Sequence, residues 1–237
     1  MRLNKYLARY AGVSRREADR LIESGEVTVN KAPASLGMSV SDETDEVSIG
    51  DRRIIPDSER HYYAAYKPVG YISSTVRQGD DDLIVTDLAP DVPYRLFPVG
   101  RLDKDSEGLI ILTDDGTLAD RVLRSRNGHE KEYIVRLSGP VTDEVIDSIS
   151  AGGLDIGEKR LTGPCSVERI SEDSVRIVLK EGMNRQIRRV FELFDEEVKG
   201  LLRVRFMNIL ISGLEPGDVR ELRPEEIRVM KEMTEDD

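Results

Sequence analysis

The chain has 237 residues, 38% of them hydrophobic, and a single cysteine, Cys165. That length supports one substantial core with a small extra module. A lone cysteine excludes an internal disulfide, and without Cys/His spacing around it no structural metal is expected. The net charge of −11 argues at first against a polyanionic partner. Yet residues 42–59 carry seven acids against two arginines and residues 215–237 nine acids against four bases, leaving 29 basic and 30 acidic residues elsewhere. Local basic faces therefore remain available. The start, Met1-Arg2-Leu3-Asn4-Lys5, has no apolar leader, and no segment has the apolar length of a membrane span, so a cytoplasmic protein without membrane contact is expected.

Leu3, Leu7 and Tyr10 recur at helical spacing over residues 2–11, and Gly12 ends that helix. Ser14 and Glu17 form a Ser-x-x-Glu capping box for a second helix running to about Ser24-Gly25. Ala18, Leu21 and Ile22 face inward there, while Arg15, Arg16 and Arg20 project from the other side. Glu17, Asp19 and Glu23 share that helix, so a solvated face accounts for these arginines as well. Val27-Thr28-Val29 reads as a strand with Asn30-Lys31 as its turn. The acidic, weakly patterned stretch from Asp42 to Glu59 reads as a tether, placing a domain boundary near Glu59.

Beyond it the pattern becomes strand-rich. Tyr62 to Ala65 leads into a turn at Lys67-Pro68-Val69-Gly70. Lys67 suits either a phosphate contact or plain turn chemistry. The most informative stretch is Phe97-Pro98-Val99-Gly100-Arg101-Leu102-Asp103, continuing through Lys104 to Gly108 into the apolar Leu109-Ile110-Ile111-Leu112. It sets a carboxylate, Asp103, on a glycine-flanked turn beside a buried strand, with Arg101 two residues earlier. Taken alone, the spacing favours Asp103 as a turn cap. Asp114-Asp115-Gly116 reads as turn chemistry before a helix over Thr117 to Leu123.

Arg121, Arg124, Arg126, Lys131 and Arg136 make the next segment basic, and Lys131 to Leu137 alternates as a strand carrying Tyr133. Ile187, Phe191 and Phe194 then form the apolar stripe of a helix. On a helical wheel Arg188 lies about 60° from Phe191, so it is the arginine best placed to reach inward, with Arg185 and Arg189 turned toward phosphate or solvent. Leu201 to Phe206, with Arg203 and Arg205 interleaved, reads as a strand. The acidic segment from Glu215 to Asp237 suits a solvated helix or an adaptation to salt.

The run from Pro98 to Gly116, together with Lys67-Pro68-Val69-Gly70, Lys131-Glu132-Tyr133 and Gln186-Ile187-Arg188, resembles the RsuA-type ribosomal RNA pseudouridine synthases in motif and order. The first quarter of the chain is similar to the αL-type RNA-binding motif of a small-subunit ribosomal protein, with Lys31 where that family usually has glycine. The resemblance implies an α+β protein. Residues 1–59 would be the αL-type module and acidic linker, and residues 60–237 a catalytic domain with a bent, mostly antiparallel mixed sheet flanked by helices.

It further implies isomerisation of a uridine in ribosomal RNA without a cofactor, with Asp103 as the essential residue, Tyr133 stacking on the target base and Arg188 pairing with Asp103. Arg15, Arg16, Arg20, Lys31, Lys67, Arg101, Lys131, Arg185 and Arg189 are the expected RNA contacts. The implied partner is ribosomal RNA, within an assembling subunit or free, and monomer is the default state. Two other classes compete with this reading. One is a non-catalytic RNA-binding or ribosome-assembly protein. The other is a glycosidic hydrolase using Asp103 and Asp105 as a carboxylate pair.

Overall fold

A computed structural model describes residues 1–56, 59–79, 82–124 and 128–235 and divides the chain into two compact units. One holds Met1–His61 together with residues 92–95 and 114–116; the other holds the remainder.

In the first unit, helices α1 (Leu3–Tyr10) and α2 (Arg15–Glu23) precede strands β1 (Val27–Val29), β2 (Ala32–Pro33), β3 (Val47–Ile49) and β4 (Arg52–Ile54). The strands pair antiparallel in the order β2-β1-β3-β4. Leu3, Tyr6, Leu7, Ala18, Ile22, Val27, Val40, Val47 and Ile54 form the core. Ser14 Oγ accepts the Glu17 N–H at 3.0 Å, as an N-cap should. The box is only half made, because the Glu17 carboxylate turns to Arg20 at 2.9 Å.

The tether expected over residues 42–59 is corrected by β3 and β4. Val47 and Ile54 point inward and Ile49 packs against the same core, so this acidic stretch supplies two strands of the module's own sheet. The β1–β2 turn holds both Asn30 (φ 51°) and Lys31 (φ 67°) in the left-handed region. Asn30 is supported by hydrogen bonds with Asp45 and Glu46, whereas Lys31 is exposed and pays the steric cost of its Cβ. Lys31→Gly is therefore expected to stabilise this unit by about 1 kcal/mol. A urea midpoint that stays put or falls would refute the strain.

The second unit contains β5 (Tyr62–Lys67), β6 (Phe97–Val99), β7 (Glu107–Thr113), β8 (Lys131–Leu137), β9 (Ser166–Ser171), β10 (Ser174–Leu179), β11 (Val198–Phe206), β12 (Ile209–Leu210) and β13 (Val219–Glu221). The helices of the remaining chain are α3 (Gly116–Arg124), α4 (Asp143–Ala151), α5 (Gln186–Glu192) and α6 (Pro224–Glu232). The main path of the mixed sheet runs β13-β5-β7-β11-β8-β10-β9, with β6 on β7 and β12 on β11. Among the described strands only β7 and β11 pair parallel. Residues 108–113 of β7 are all buried, which fits a near-continuous apolar run in a central strand. One apolar cluster packs Leu102 and Tyr133 with α5 and β8; another packs β7 with α3 and α6.

The acidic C-terminal segment is likewise structured. β13 extends the sheet on β5, and Pro224 opens α6 at a position where its missing N–H costs nothing. Glu226 on α6 is 7% exposed and accepts hydrogen bonds from Arg220 at 2.8 and 2.9 Å, from the Arg223 side chain, and from the Arg223 N–H. The Arg220 bonds lead in pulling its pKa from 4.5 down to about 2, against the opposing effect of burial. Since the folded value lies below the unfolded one, the stabilisation is complete above the unfolded pKa and is lost as pH falls from about 4.5 toward 2. Glu226→Gln should therefore lower stability by about 2–3 kcal/mol at pH 7 and by little near pH 2. Equal losses at both pH values would rule out the ion-pair origin.

Candidate active site

Residues 101–109, running from the end of β6 into the first residues of β7, carry Asp103 and Asp105, and their backbone is held from four directions. The hydroxyl of Ser73 donates to Leu102 O at 2.8 Å and accepts the Leu102 N–H at 3.0 Å. Gly70 N–H donates to Lys104 O at 2.7 Å, and Ser106 N–H to Asp103 O at 3.1 Å. Arg188 Nη2 donates to Asp105 O at 2.8 Å, while its Nη1 holds Val198 O at 2.9 Å. Arg203 Nε donates to Leu109 O at 2.7 Å and Arg203 Nη1 to Arg101 O at 3.4 Å. The loop is thus immobilised through its peptide groups.

The two carboxylates on this loop differ. Asp105 is gripped by Arg185 Nη1 and Nη2 at 3.1 and 2.9 Å and faces Arg188 Nε at 3.3 Å. Burial alone would raise its pKa, yet these two guanidiniums hold the carboxyl below the usual carboxylate value. Asp103, with its side chain 27% exposed, has Arg185 at 3.9 Å as its ion-pair partner among the described residues. One acid is committed to structure, and the other is aimed but largely unspent. This disfavours a two-carboxylate hydrolase, because Asp105 is not free to work across a bond from Asp103.

The expected Arg188–Asp103 pair is corrected accordingly. Arg188 does reach inward, being 11% exposed, but its two terminal nitrogens donate to the carbonyls of Val198 and Asp105, and its Nε lies 3.3 Å from the Asp105 carboxylate as an ion-pair contact without a hydrogen bond. Arg185, expected to face phosphate or solvent, is the guanidinium nearer Asp103. It is the N-cap residue of α5 with φ 48°, a left-handed backbone that turns its side chain back over the loop.

Tyr133 lies on the β8 face that also carries Val135 and Leu137, is 9% exposed, and packs in the cluster that includes Leu102, the residue before Asp103. Lys131 shares that face by strand alternation but does not extend as a free cation. Its Nζ donates to His129 O at 3.1 Å and sits 5.7 Å from the Phe206 ring, and burial lowers its pKa to about 8. Lys67 is fully buried at the end of β5, with Nζ on Pro68 O at 2.9 Å. Burial pushes its pKa down to about 8 against the opposing charges of Asp105, Asp103 and Glu107. Neither a phosphate contact nor a plain turn role fits it; Lys67 is a buried cation facing the acids of the loop.

Arg101 is exposed at the head of the loop, and Arg189 pairs with Glu158 at 2.7 Å. In the first unit Arg15, Arg16 and Lys31 are exposed, as is Arg20, which is paired with Glu17. Asp114 accepts the His61 N–H at 2.9 Å and meets the His61 ring at 3.0 Å, a more specific role than turn chemistry. Arg126 of the basic segment lies outside the described residues.

Sequence reasoning gave Ser73, Gly70 and Arg203 no part in the site. For Arg203 the signal was available, since period 2 puts it on the buried face of Leu201. For Ser73 and Gly70 the partners are backbone groups some thirty residues away, which no local pattern reveals.

Comparison with known proteins places these residues among relatives. A family model described as RNA pseudouridylate synthase matches residues 61–193, and an S4 domain model matches residues 1–47. The chain is 43% identical over 229 residues to the dual-specificity RNA pseudouridine synthase RluF of Escherichia coli strain K12, covering 96% of this chain and 77% of that one. It is 32% identical to the ribosomal large subunit pseudouridine synthase B of Bacillus subtilis strain 168, over 99% of this chain and 97% of the relative. A crystal structure of a pseudouridylate synthase superposes with a TM-score of 0.70 at 31% identity, covering 97% of this chain and 99% of that one.

Proposed function

The chain belongs to the RNA pseudouridine synthase family and carries an S4 domain; from that premise we propose that it isomerises a uridine of ribosomal RNA in an assembling subunit, working as a monomer with Asp103 as its central catalytic group. The observation that carries the assignment of Asp103 is the contrast within one rigid loop, where Asp105 is consumed by Arg185 and Arg188 and Asp103 keeps its oxygens for a substrate. Ribosomal RNA is favoured by the Bacillus relative, named for the large subunit and matched over nearly its whole length.

In the reaction the bond from the ribose C1′ to uracil N1 breaks, the uracil turns, and C1′ bonds to C5. The C5 proton leaves and N1 ends protonated, so substrate and product contain the same atoms. The target base must first leave its stack, at a cost of a few kcal/mol. Tyr133 then offers a ring to the flipped base. Asp103 acts on the nucleotide from a loop that need not reorganise during the reaction. Arg185 supplies positive charge beside Asp103, and Arg188 acts through the loop backbone it holds. Arg15, Arg16, Arg20 and Lys31 of the S4 unit and Arg101 of the loop contribute phosphate contacts that position the RNA. On this reading the first unit, Met1–His61 with residues 92–95 and 114–116, supplies affinity and the second supplies the chemistry.

The test is carbodiimide labelling with primer extension on ribosomal RNA treated with the protein as naked RNA, partly assembled subunits and intact ribosomes. A new pseudouridine stop in one of these substrates is expected. Absence of any stop in all three, with RNA binding retained, would overturn the reading in favour of a binding protein.

A further inference from the structure

Arg203 is 2% exposed and sits on β11 opposite Tyr133 in the β8–β11 register. The Phe206 ring lies 5.2 Å from its guanidinium carbon, a cation–π contact that offsets only part of the cost of burying the charge. The charge is otherwise poorly compensated. Buried Lys67 and half-buried Lys131 both feel it as a like charge, and Arg203 Nη2 is buried with no hydrogen-bond partner among the described residues. A buried guanidinium with an orphaned nitrogen costs stability, and an apolar replacement of similar volume is often at least as stable. Packing alone therefore does not explain the arginine.

Its two satisfied nitrogens supply the reason. Nη1 reaches Arg101 O and Nε reaches Leu109 O, the carbonyls at the two ends of the loop that carries Asp103 and Asp105. One rigid planar group ties both stems, while the backbone of the same residue lies against Gly108 so closely that a Cβ there would be 2.4 Å from Arg203 O. Resting on the reading of Asp103 given above, we propose that Arg203 is a positioning residue of the isomerisation, a buried brace that sets the position of the Asp103 loop by bridging its stems. A lysine would keep the charge and lose the bridge, because one ammonium cannot span both carbonyls with fixed geometry.

The experiment compares wild type with Arg203→Lys in single-turnover pseudouridine formation and in RNA binding, after melting curves establish that the variant is folded at the assay temperature. The expected result is a rate lowered about 100-fold, the scale of a 1 Å misplacement near reacting groups, with RNA affinity within about threefold of wild type. A folded lysine variant with wild-type rate, or with rate and affinity lost together, would overturn the proposal. Should that variant fail to fold, Arg203→Met, an apolar side chain of similar volume, takes its place in the same two assays with the same expected split. In the folded variant the Leu102 and Ser106 amides, held by Ser73 Oγ and Asp103 O rather than by Arg203 itself, are expected to exchange faster than in wild type while β7 stays protected, and unchanged exchange there would overturn the brace. If wild type forms no pseudouridine on any ribosomal substrate, the functional reading fails, while the exchange of variant against wild type still reports whether Arg203 braces the loop.

Discussion

Asp103→Asn is expected to leave RNA affinity near the wild-type value and to lower pseudouridine formation by at least about 10³-fold, the upper range for removing one acid or base group from a reaction. The amide is nearly the same size as the carboxylate and keeps an oxygen where Arg185 Nη1 lies at 3.9 Å, so the loop should not move. The peptide-group contacts from Ser73, Gly70, Arg188 and Arg203 do not involve the Asp103 side chain at all. What is lost is the anionic oxygen. The matched variant Asp105→Asn should behave differently. It releases the fork of Arg185 and the Nε of Arg188, so it should cost stability and reduce the rate more moderately, by about 10–100-fold, through misplacement rather than lost chemistry. Single-turnover assays with binding measured in parallel separate the two. If Asp105→Asn proved the more damaging to rate, the roles of the two acids would have to be exchanged.

The paired outcome bears on how electrostatics is divided in this site. An arginine committed to the catalytic carboxylate itself would keep that group ionised, but would also cover it. Here the two arginines of the α5 region take the neighbouring acid and the loop backbone, leaving Asp103 within the field of Arg185 and Lys67 without a short hydrogen-bonded ion pair. Positive charge is thus present without blocking the oxygens.

Much of this was legible in the sequence, and the limits follow from physical range. Helices α1, α2 and α5 and strands β7 and β8 were readable because apolar periodicity and caps are local signals; the expected Ser14 cap and Ile187–Phe191 stripe are both present. The Asp103 loop was legible because its motif is contiguous. The acidic stretch over residues 42–59 misled because charge dominated the reading, although Val47 and Ile54 already had the spacing of inward positions in a short hairpin. Arg188 was rightly turned inward by the helical wheel, yet its partner was wrong. Which of two aspartates two residues apart meets a guanidinium is decided by tertiary placement across more than eighty residues of chain. Lys67 looked like a turn residue because its burial comes from strands that are distant in sequence.

Gly108→Ala should be the most destabilising single methyl addition tested at the described glycines of this site. Gly108 has φ 108°, a conformation that L side chains rarely adopt, and its added Cβ would lie 2.4 Å from Arg203 O, 2.6 Å from Arg203 N and 2.9 Å from Leu202 Cδ1. Two of those atoms are backbone in the parallel β7–β11 pair, so no side-chain rotation can relieve the clash. Overpacking of this kind costs about 1–3 kcal/mol and the backbone conformation roughly 1–2 more, giving about 2–5 kcal/mol in total. At about 2–4 °C per kcal/mol for a domain of this size, the melting temperature should fall by roughly 10 °C. Gly100→Ala provides the control for conformation alone. Its φ of 80° is also left-handed, but the nearest atom to its added Cβ is the flexible Leu123 Cδ2 at 3.6 Å, so only the strain of about 1–2 kcal/mol should appear. Gly182→Ala, with ordinary φ and nothing within 4 Å, should be close to neutral. A melting series in that order ties the β7–β11 approach to stability. A Gly108→Ala protein melting with Gly100→Ala would mean the two strands can part at this point, and the brace formed by Arg203 would then rest on a hinge rather than on a fixed wall.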